Sequence, residues 1–372
     1  MGLATKHRAS GHQGANGATA VPPVPFEHED LVVHRGARSG RSVIVAIHST
    51  VLGPALGGVR MWHYAGTEDA ARDALRLAAG MTHKAAAAGL DLGGGKGVIC
   101  GPEGAPPTGN ARRALLLDFG DLVESLAGRY ITAEDAGTSP EDLLAIAERT
   151  DHVTGLPVEH GGGGDPSPVT ALGVEAAMRA CLRRRYGSED VAGRRIVVVG
   201  PGHVGEPLAR RLADAGAELV LSDIDDGKRA LAAELGAGWL AASEAMVAEC
   251  DVLSPCALGG GIHADNADLL RCEIVCGSAN NQLAERGLDE VLAERGVLYA
   301  PDFIANAGGL IHVYGELRGY SAGRARELAL GIEAQMERIL EAATRRAVTP
   351  LRAAHALARE RLDAAREPAA AA

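Results

Sequence analysis

The chain has 372 residues, with 37 Lys+Arg against 48 Asp+Glu and a formal charge of -11. This length outgrows a single hydrophobic core, so two domains are expected, and the negative balance argues against nucleic acid, whose phosphates demand basic patches. No apolar run reaches the ~18 residues of a membrane span and no signal-peptide core stands at the N-terminus, which argues against a membrane role and makes the cytoplasm the expected location.

Residues 1–25 mix Gly, Ala, His and Pro without periodicity and are expected to be a disordered leader. Short apolar or alternating runs at 30–34 and 42–48 predict paired strands. Thr67 is placed to cap a helix over 68–79, where Ala70, Ala71, Ala74, Leu75 and Ala78 return at helical spacing. Lys84 then falls on or just beyond its last turns, and Lys96 opens a short strand over 97–100. A helix over 111–126 leads to a strand over 129–132 whose end delivers Glu134 and Asp135, and Ser139-Pro140 marks a further helix start. The tract 160–168, His-Gly-Gly-Gly-Gly-Asp-Pro-Ser-Pro, must break secondary structure and sets a domain boundary. Beyond it come a helix over 169–185, a strand over 194–199, a glycine turn, a helix through Leu212 and a strand over 218–221. Further strands near 252–253, 273–275 and 297–299 predict a mostly parallel sheet. Residues 324–369 read as helical and are expected to pack back across the first domain. The fold class is therefore α/β with two domains, a substrate and oligomerisation domain over 26–160 and a dinucleotide domain over 161–323, joined by the returning helix at 324–366.

Only four lysines occur, at positions 6, 84, 96 and 228, and two of them flank the glycine run Gly93-Gly94-Gly95 in otherwise apolar surroundings. A buried lysine must find an anion or lower its pKa, and an enzyme can use either outcome. The six cysteines, at 100, 181, 250, 256, 272 and 276, show no zinc-type spacing with histidines, so free thiols and no metal site are expected. Gly200-Pro201-Gly202-His203-Val204-Gly205 follows a Val/Ile strand, opens a helix, and has Asp223 eighteen residues after its last glycine. Gly200 permits the turn, Gly202 admits a pyrophosphate to the helix end, and Gly205 lets the helix pack on the sheet. Asp223 suits ribose hydroxyls and repels a 2′-phosphate, which favours NAD over NADP. Pro201 removes one backbone N–H from the loop.

Leu56-Gly57-Gly58-Val59-Arg60-Met61-Trp62, the segment from Gly80 to Lys96, and Tyr130 to Thr138 together resemble the glutamate/leucine/phenylalanine/valine dehydrogenase family. The likeness continues through Pro166 to Thr170, Pro255 to Gly259, Gly277 to Gln282 and Ala300 to Gly309, and so covers residues 28–320 in order. It implies reversible NAD-dependent oxidative deamination of an L-amino acid to a 2-oxo acid and ammonia, in a cleft between domains of a homo-oligomer. By the same resemblance, Lys84 holds the substrate carboxylate, Lys96 is the general base and Asp135 relays protons to the amino group. Thr170 and Asn281 fall to the cofactor, and Gly57, Gly58, Met81 and Asn306 to the substrate. The Lys84 charge is expected to help keep Lys96 neutral, and the glycine run to keep side chains out of the cleft. A non-catalytic NAD-binding regulator would have lost Lys84, Lys96 or Asp135, and all three are present.

In the glutamate branch a lysine precedes the Gly-Gly pair and a serine makes the second side-chain contact. Here those positions are Leu56 and Val313, and with Ala133 and Leu310 they form an apolar pocket. A glutamate side chain there would be left unpaired. Leucine, valine or isoleucine is expected, with phenylalanine the alternative, because one methylene is worth only about 1–3 kcal/mol. His83 stands where the family usually has tyrosine, and is expected to influence Lys84.

Overall fold

A computed structural model describes residues 27–367; the expected leader at 1–25 lies outside them. The first unit contains β1 (Asp30–Arg35), β2 (Ser42–Ser49), β3 (Ala55–Trp62), α1 (Thr67–Ala87), β4 (Gly93–Cys100), α2 (Gly109–Ser125), β5 (Tyr130–Glu134) and α3 (Pro140–Ala147). Its sheet has the order β1-β2-β4-β3-β5, antiparallel at the β1 end and parallel among β4, β3 and β5. β2 is apolar throughout because both faces are covered. Ile44 and Ala46 pack with Ala70, Ala74 and Ala78 of α1, while Val43, Val45 and Ile47 pack with Phe119, Leu122 and Val123 of α2.

Helix α1 runs two turns further than expected. Gly80 does not stop it, and the end comes at Gly89, with φ +76°. There the N–H of Gly89 donates to Ala86 and that of Leu90 to Ala85, the bonding pattern of a Schellman terminus. Thr67 is the first helical residue, not its cap, which is Gly66 without a side-chain bond; the Thr67 hydroxyl instead meets Ser42 Oγ at 3.2 Å. β4 begins at Gly93 rather than at Lys96, so the glycine run is itself strand. A Cβ on Gly94 would lie 2.0 Å from the Thr82 nitrogen of α1, and one on Gly95 would lie 2.6 Å from the Tyr130 ring. The glycines therefore admit a helix backbone and a tyrosine against the sheet; they do not clear the cleft.

The second unit follows with α4 (Ser167–Tyr186), β6 (Arg195–Val199), α5 (Gly205–Asp214), β7 (Glu218–Ser222), α6 (Arg229–Glu234), β8 (Gly238–Trp239), α7 (Ala242–Ala245), β9 (Cys250–Pro255), α8 (Ala264–Ala267), β10 (Cys272–Val275), α9 (Leu288–Glu294) and β11 (Leu298–Tyr299). Its sheet, ordered β11-β10-β9-β6-β7-β8, is parallel throughout. The strand order reverses between β6 and β9, and in open α/β sheets ligands bind at such a switch point, outside the strands' carboxyl ends.

The chain ends with α10 (Asp302–Ala305), α11 (Gly308–Leu317), α12 (Ala322–Leu330), α13 (Ile332–Arg346) and α14 (Pro350–Arg366). The single C-terminal helix of the sequence reading is thus three helices. Ala347, in the left-handed region at φ 51°, closes α13, and Thr349 caps α14 by accepting from the Arg352 N–H, with Pro350 in the first turn. α14 packs against α1. There Arg361 donates to the carbonyls of Leu90 at 2.8 Å and Ala86 at 3.1 Å, the latter already accepting from the Gly89 N–H. One apolar cluster runs from Leu56 and Ala85 of the first unit into α4, α11, α13 and α14. Among the described residues no helix is long and apolar enough to cross a membrane.

Candidate active site

β3 lies between β4 and β5, and its Gly57-Gly58 pair lets side chains from the flanking strands meet across it. A Cβ on Gly57 would lie 1.8 Å from the Gly95 carbonyl, and one on Gly58 would lie 2.9 Å from the Asp135 Cβ. Across this bare stretch Lys96 Nζ pairs with Asp135 Oδ2 at 2.9 Å. The Asp135 turn is tied back by Thr138 Oγ1, which accepts from the Asp135 N–H at 3.0 Å and donates to Val59 at 2.9 Å. Lys96 is only 4% exposed. Burial lowers its pKa, the Asp135 carboxylate opposes that, Arg60 adds to the lowering, and the net direction is down. Burial alone would raise Asp135, but Lys96 and Arg60 outweigh it and hold the carboxyl below its usual range.

The cation acting on Lys96 is therefore Arg60, not Lys84. This corrects the expected link between the two lysines. The sequence separation of twelve residues misled because Lys84 sits in the last turn of α1 and faces the other unit. Burial lowers Lys84 to about 8, and the one opposite charge acting on it is Asp302 at the start of α10. Asp302 is already engaged, accepting from the N–H groups of Gln282 at 3.0 Å and Phe303 at 2.7 Å. Among the described residues the Lys84 side chain makes no hydrogen bond or ion pair. His83 turns away into a row of rings, 5.9 Å from His48 and 5.7 Å from His355. Burial lowers its pKa, so it brings no charge to Lys84.

At the end of β6, Gly200 adopts φ +90° and its N–H donates to Ser222 at the end of β7 at 2.8 Å. A Cβ on Gly205 would lie 2.2 Å from the Gly200 carbonyl, whereas one on Gly202 would meet nothing. The turn is tight where the helix packs and open where a phosphate would sit. Pro201 is buried, Gly202 and Val204 are half-buried, and His203 is exposed. Asp223 directly follows β7 and accepts from the Asp225 N–H at 2.9 Å. Arg229, the nearby cation that a 2′-phosphate would need, is held by Asp226 at 2.9 Å and lies over the Trp239 ring. The turn faces the first unit, since His203 is among the charges acting on Glu134 at the end of β5.

Asn306 Nδ2 donates to Asn280 Oδ1 at 2.8 Å and to the Ser278 carbonyl at 3.2 Å, while its Oδ1 is a buried acceptor with no partner. Thr170 Oγ1 donates to Pro166 at 2.9 Å, which leaves its lone pairs free to accept, and it lies against Gly309. Both fit the donors of a nicotinamide carboxamide. Asn281 is instead exposed, in the left-handed region at φ 52°, so the asparagine brought to Asn306 is Asn280. Leu56, Leu310, Met81 and Val313 belong to one apolar cluster, and Ala133 pairs in register with Gly58. The sequence reading assigned no role to Arg60 or Asp302, although both lie in segments that carried the resemblance. Strand alternation puts Arg60 on the face of Leu56 and Gly58, a signal that was available.

A buried lysine–carboxylate pair, a lysine whose side chain has no partner and a glycine turn at the switch point of a parallel sheet make the arrangement of an amino acid dehydrogenase, an oxidoreductase. The chain belongs to the glutamate/leucine/phenylalanine/valine dehydrogenase family, which is NAD(P)-dependent. Its dimerisation-domain model matches residues 30–152 and its second model residues 225–368. The leucine dehydrogenase of Thermoactinomyces intermedius is 43% identical over 344 residues, covering 92% of this chain and 93% of the relative. The valine dehydrogenase of Streptomyces virginiae is 41% identical over 343 residues, covering 91% and 95%. Among solved structures, L-tryptophan dehydrogenase from Nostoc punctiforme superposes with a TM-score of 0.82 at 35% identity, covering 92% of this chain and 98% of that one.

Proposed function

We propose that this enzyme catalyses the NAD-dependent, reversible oxidative deamination of leucine, valine or isoleucine to the 2-oxo acid and ammonia. The observation that carries the reading is the buried Lys96–Asp135 pair at 2.9 Å in a cleft that also holds the uncompensated Lys84. Lys84 binds the substrate α-carboxylate, the anion it lacks within the protein. NAD supplies the hydride acceptor for the substrate Cα. Asp135 takes up the substrate ammonium and exchanges its protons, which draws the carboxylate away from Lys96. Left beside Arg60 in a buried site, Lys96 gives up its proton to solvent and, as a neutral amine, takes one from the water that attacks the substrate iminium carbon; Asp135 then returns its proton to the nitrogen, the C–N bond breaks, and ammonia leaves as the 2-oxo acid forms. Reversal of the same transfers aminates the 2-oxo acid.

Leu56, 2% exposed, with Met81, Leu310 and Val313 supports an aliphatic side-chain pocket, in agreement with the leucine and valine dehydrogenase relatives. Asp223, together with Asp225 and Asp226, supports NAD over NADP, since the carboxylates would repel a 2′-phosphate and Arg229 is already engaged. The first unit, with β1 at its sheet edge and matched by a dimerisation-domain model, supports a homo-oligomer built through that unit. The six unpaired cysteines support a reducing, cytoplasmic setting.

A panel of L-amino acids assayed by absorbance of the reduced cofactor, with NAD and NADP in parallel, tests this reading. Leucine, valine and isoleucine with NAD should give the highest kcat/KM. Preference for phenylalanine or tryptophan would overturn the specificity, and turnover of glutamate would refute the Leu56 argument.

A further inference from the structure

Beyond the lysine–aspartate pair, the most connected polar group in the cleft is the Arg60 guanidinium. Its Nε donates to Asp135 Oδ2 at 2.8 Å, the same oxygen that meets Lys96 Nζ at 2.9 Å. Its second arm reaches Asp73 Oδ2 of α1 at 3.1 Å, and that carboxylate also accepts from Tyr64 at 2.7 Å and Arg76 at 2.7 Å. Arg60 is thus held between two carboxylates, one on the chemistry and one on the scaffold. We propose that Arg60 is a positioning residue of the deamination, which aims Asp135 Oδ2 at Lys96 and, by sharing that oxygen, keeps Lys96 from holding its proton. The inference rests on the mechanism proposed above.

Three features support this role. Both cations compete for one carboxylate oxygen, so neither alone neutralises Asp135. A guanidinium stays charged throughout the working pH range, so it is a fixed positive charge beside a base that must become neutral. Its scaffold anchor is itself restrained, because Asp73 carries the Tyr64 and Arg76 bonds in addition. The other titratable groups facing the pair are Asp73, whose carboxylate favours the Lys96 proton, Glu134, at the end of β5, and the buried Tyr130, whose hydroxyl donates to the Gly57 carbonyl. None is a cation, so Arg60 is the one positive charge that acts against the Lys96 proton.

The test is the pH profile of kcat/KM in R60Q, R60M and R60K, beside K96A as reference. Removing a cation beside Lys96 favours its protonated form and leaves Asp135 to pair with Lys96 alone. Both effects move the acidic limb of the profile to higher pH, by about 1 unit for R60Q. R60K, which keeps the charge, should restore most of the limb position. R60M, which removes the charge with a side chain of similar reach, should shift it as R60Q does and covers the case in which R60Q does not fold; Asp73 itself is left unchanged, because its carboxylate also acts on Lys96 directly. An acidic limb that stays in place in R60Q, or in R60M where R60Q does not fold, overturns the role of Arg60. If K96A itself retains turnover, the mechanism fails as a whole, an outcome distinct from an unmoved limb in an enzyme that K96A inactivates.

Discussion

The β4 wall of the cleft and the α1 wall treat the same side chain in opposite ways. Lys96, inside a strand, meets a carboxylate that two cations share, and its whole charge network is supplied by the protein. Lys84, in the last turn of a helix, is lowered to about 8 by burial and faces an aspartate that two backbone N–H groups already occupy. A desolvated charge without a partner costs free energy, and either an incoming anion or loss of its proton relieves it. On the proposed mechanism the satisfied lysine serves proton transfer, while the unsatisfied one serves as the ligand site. The two residues are not variants of one role, and neighbours in sequence need not be neighbours in electrostatics.

The sharpest way to break this contrast is to remove each lysine and compare what is lost. K96A should reduce kcat by ~100- to 10,000-fold, the range for loss of a positioned acid–base group, while NADH binding followed by fluorescence stays near wild type. A loss under tenfold would mean that another group activates the water. K84A should act mainly on KM, because a charge-assisted hydrogen bond is worth about 1.5–3 kcal/mol, or roughly 10- to 100-fold in affinity. If K84A lowers kcat as strongly as K96A with KM unchanged, both lysines act in the transition state and the division of labour is wrong.

Strands β2 and β6 were legible in the sequence because they are covered on both faces and so appear as unbroken apolar runs, whereas β3, interrupted by Gly57-Gly58, was not read as a strand. The glycine turn and Asp223 were legible for a local reason, since strand, turn, helix and acid follow one another along the chain. What stayed hidden depends on contacts between distant segments. The purpose of Gly94 and Gly95 appears only once α1 and Tyr130 are seen pressed against them. Arg60 and Asp135 are 75 residues apart and meet only because β3 and β5 pair. The clasp of Glu316 on α11, which accepts from Thr154 at 2.7 Å and Gly163 at 2.9 Å in the segment leading to α4, spans more than 150 residues and has no local signature. The break at Ala347 was missed although Thr349-Pro350, a cap followed by a first-turn proline, was in plain sight.

A smaller and more selective effect should come from replacing Lys84 by arginine. The lysine in the free enzyme is a base whose pKa lies below its ordinary value, so the fold favours its neutral form and protonating it costs stability as pH falls. Carboxylate binding requires the protonated form. Affinity for the 2-oxo acid should therefore hold below about pH 8 and fall about tenfold per unit above it. Measuring binding of that acid to the enzyme–NADH complex across about pH 6 to 10 isolates the effect, because neither a substrate amino group nor ammonia is then present to titrate. In K84R the guanidinium stays charged, so the basic limb should flatten even if the longer side chain weakens binding severalfold. The Lys96 limb in turnover should not move, since Arg60 and Asp135 rather than residue 84 set it. A basic limb that persists unchanged in K84R would assign that titration to another group in the cleft.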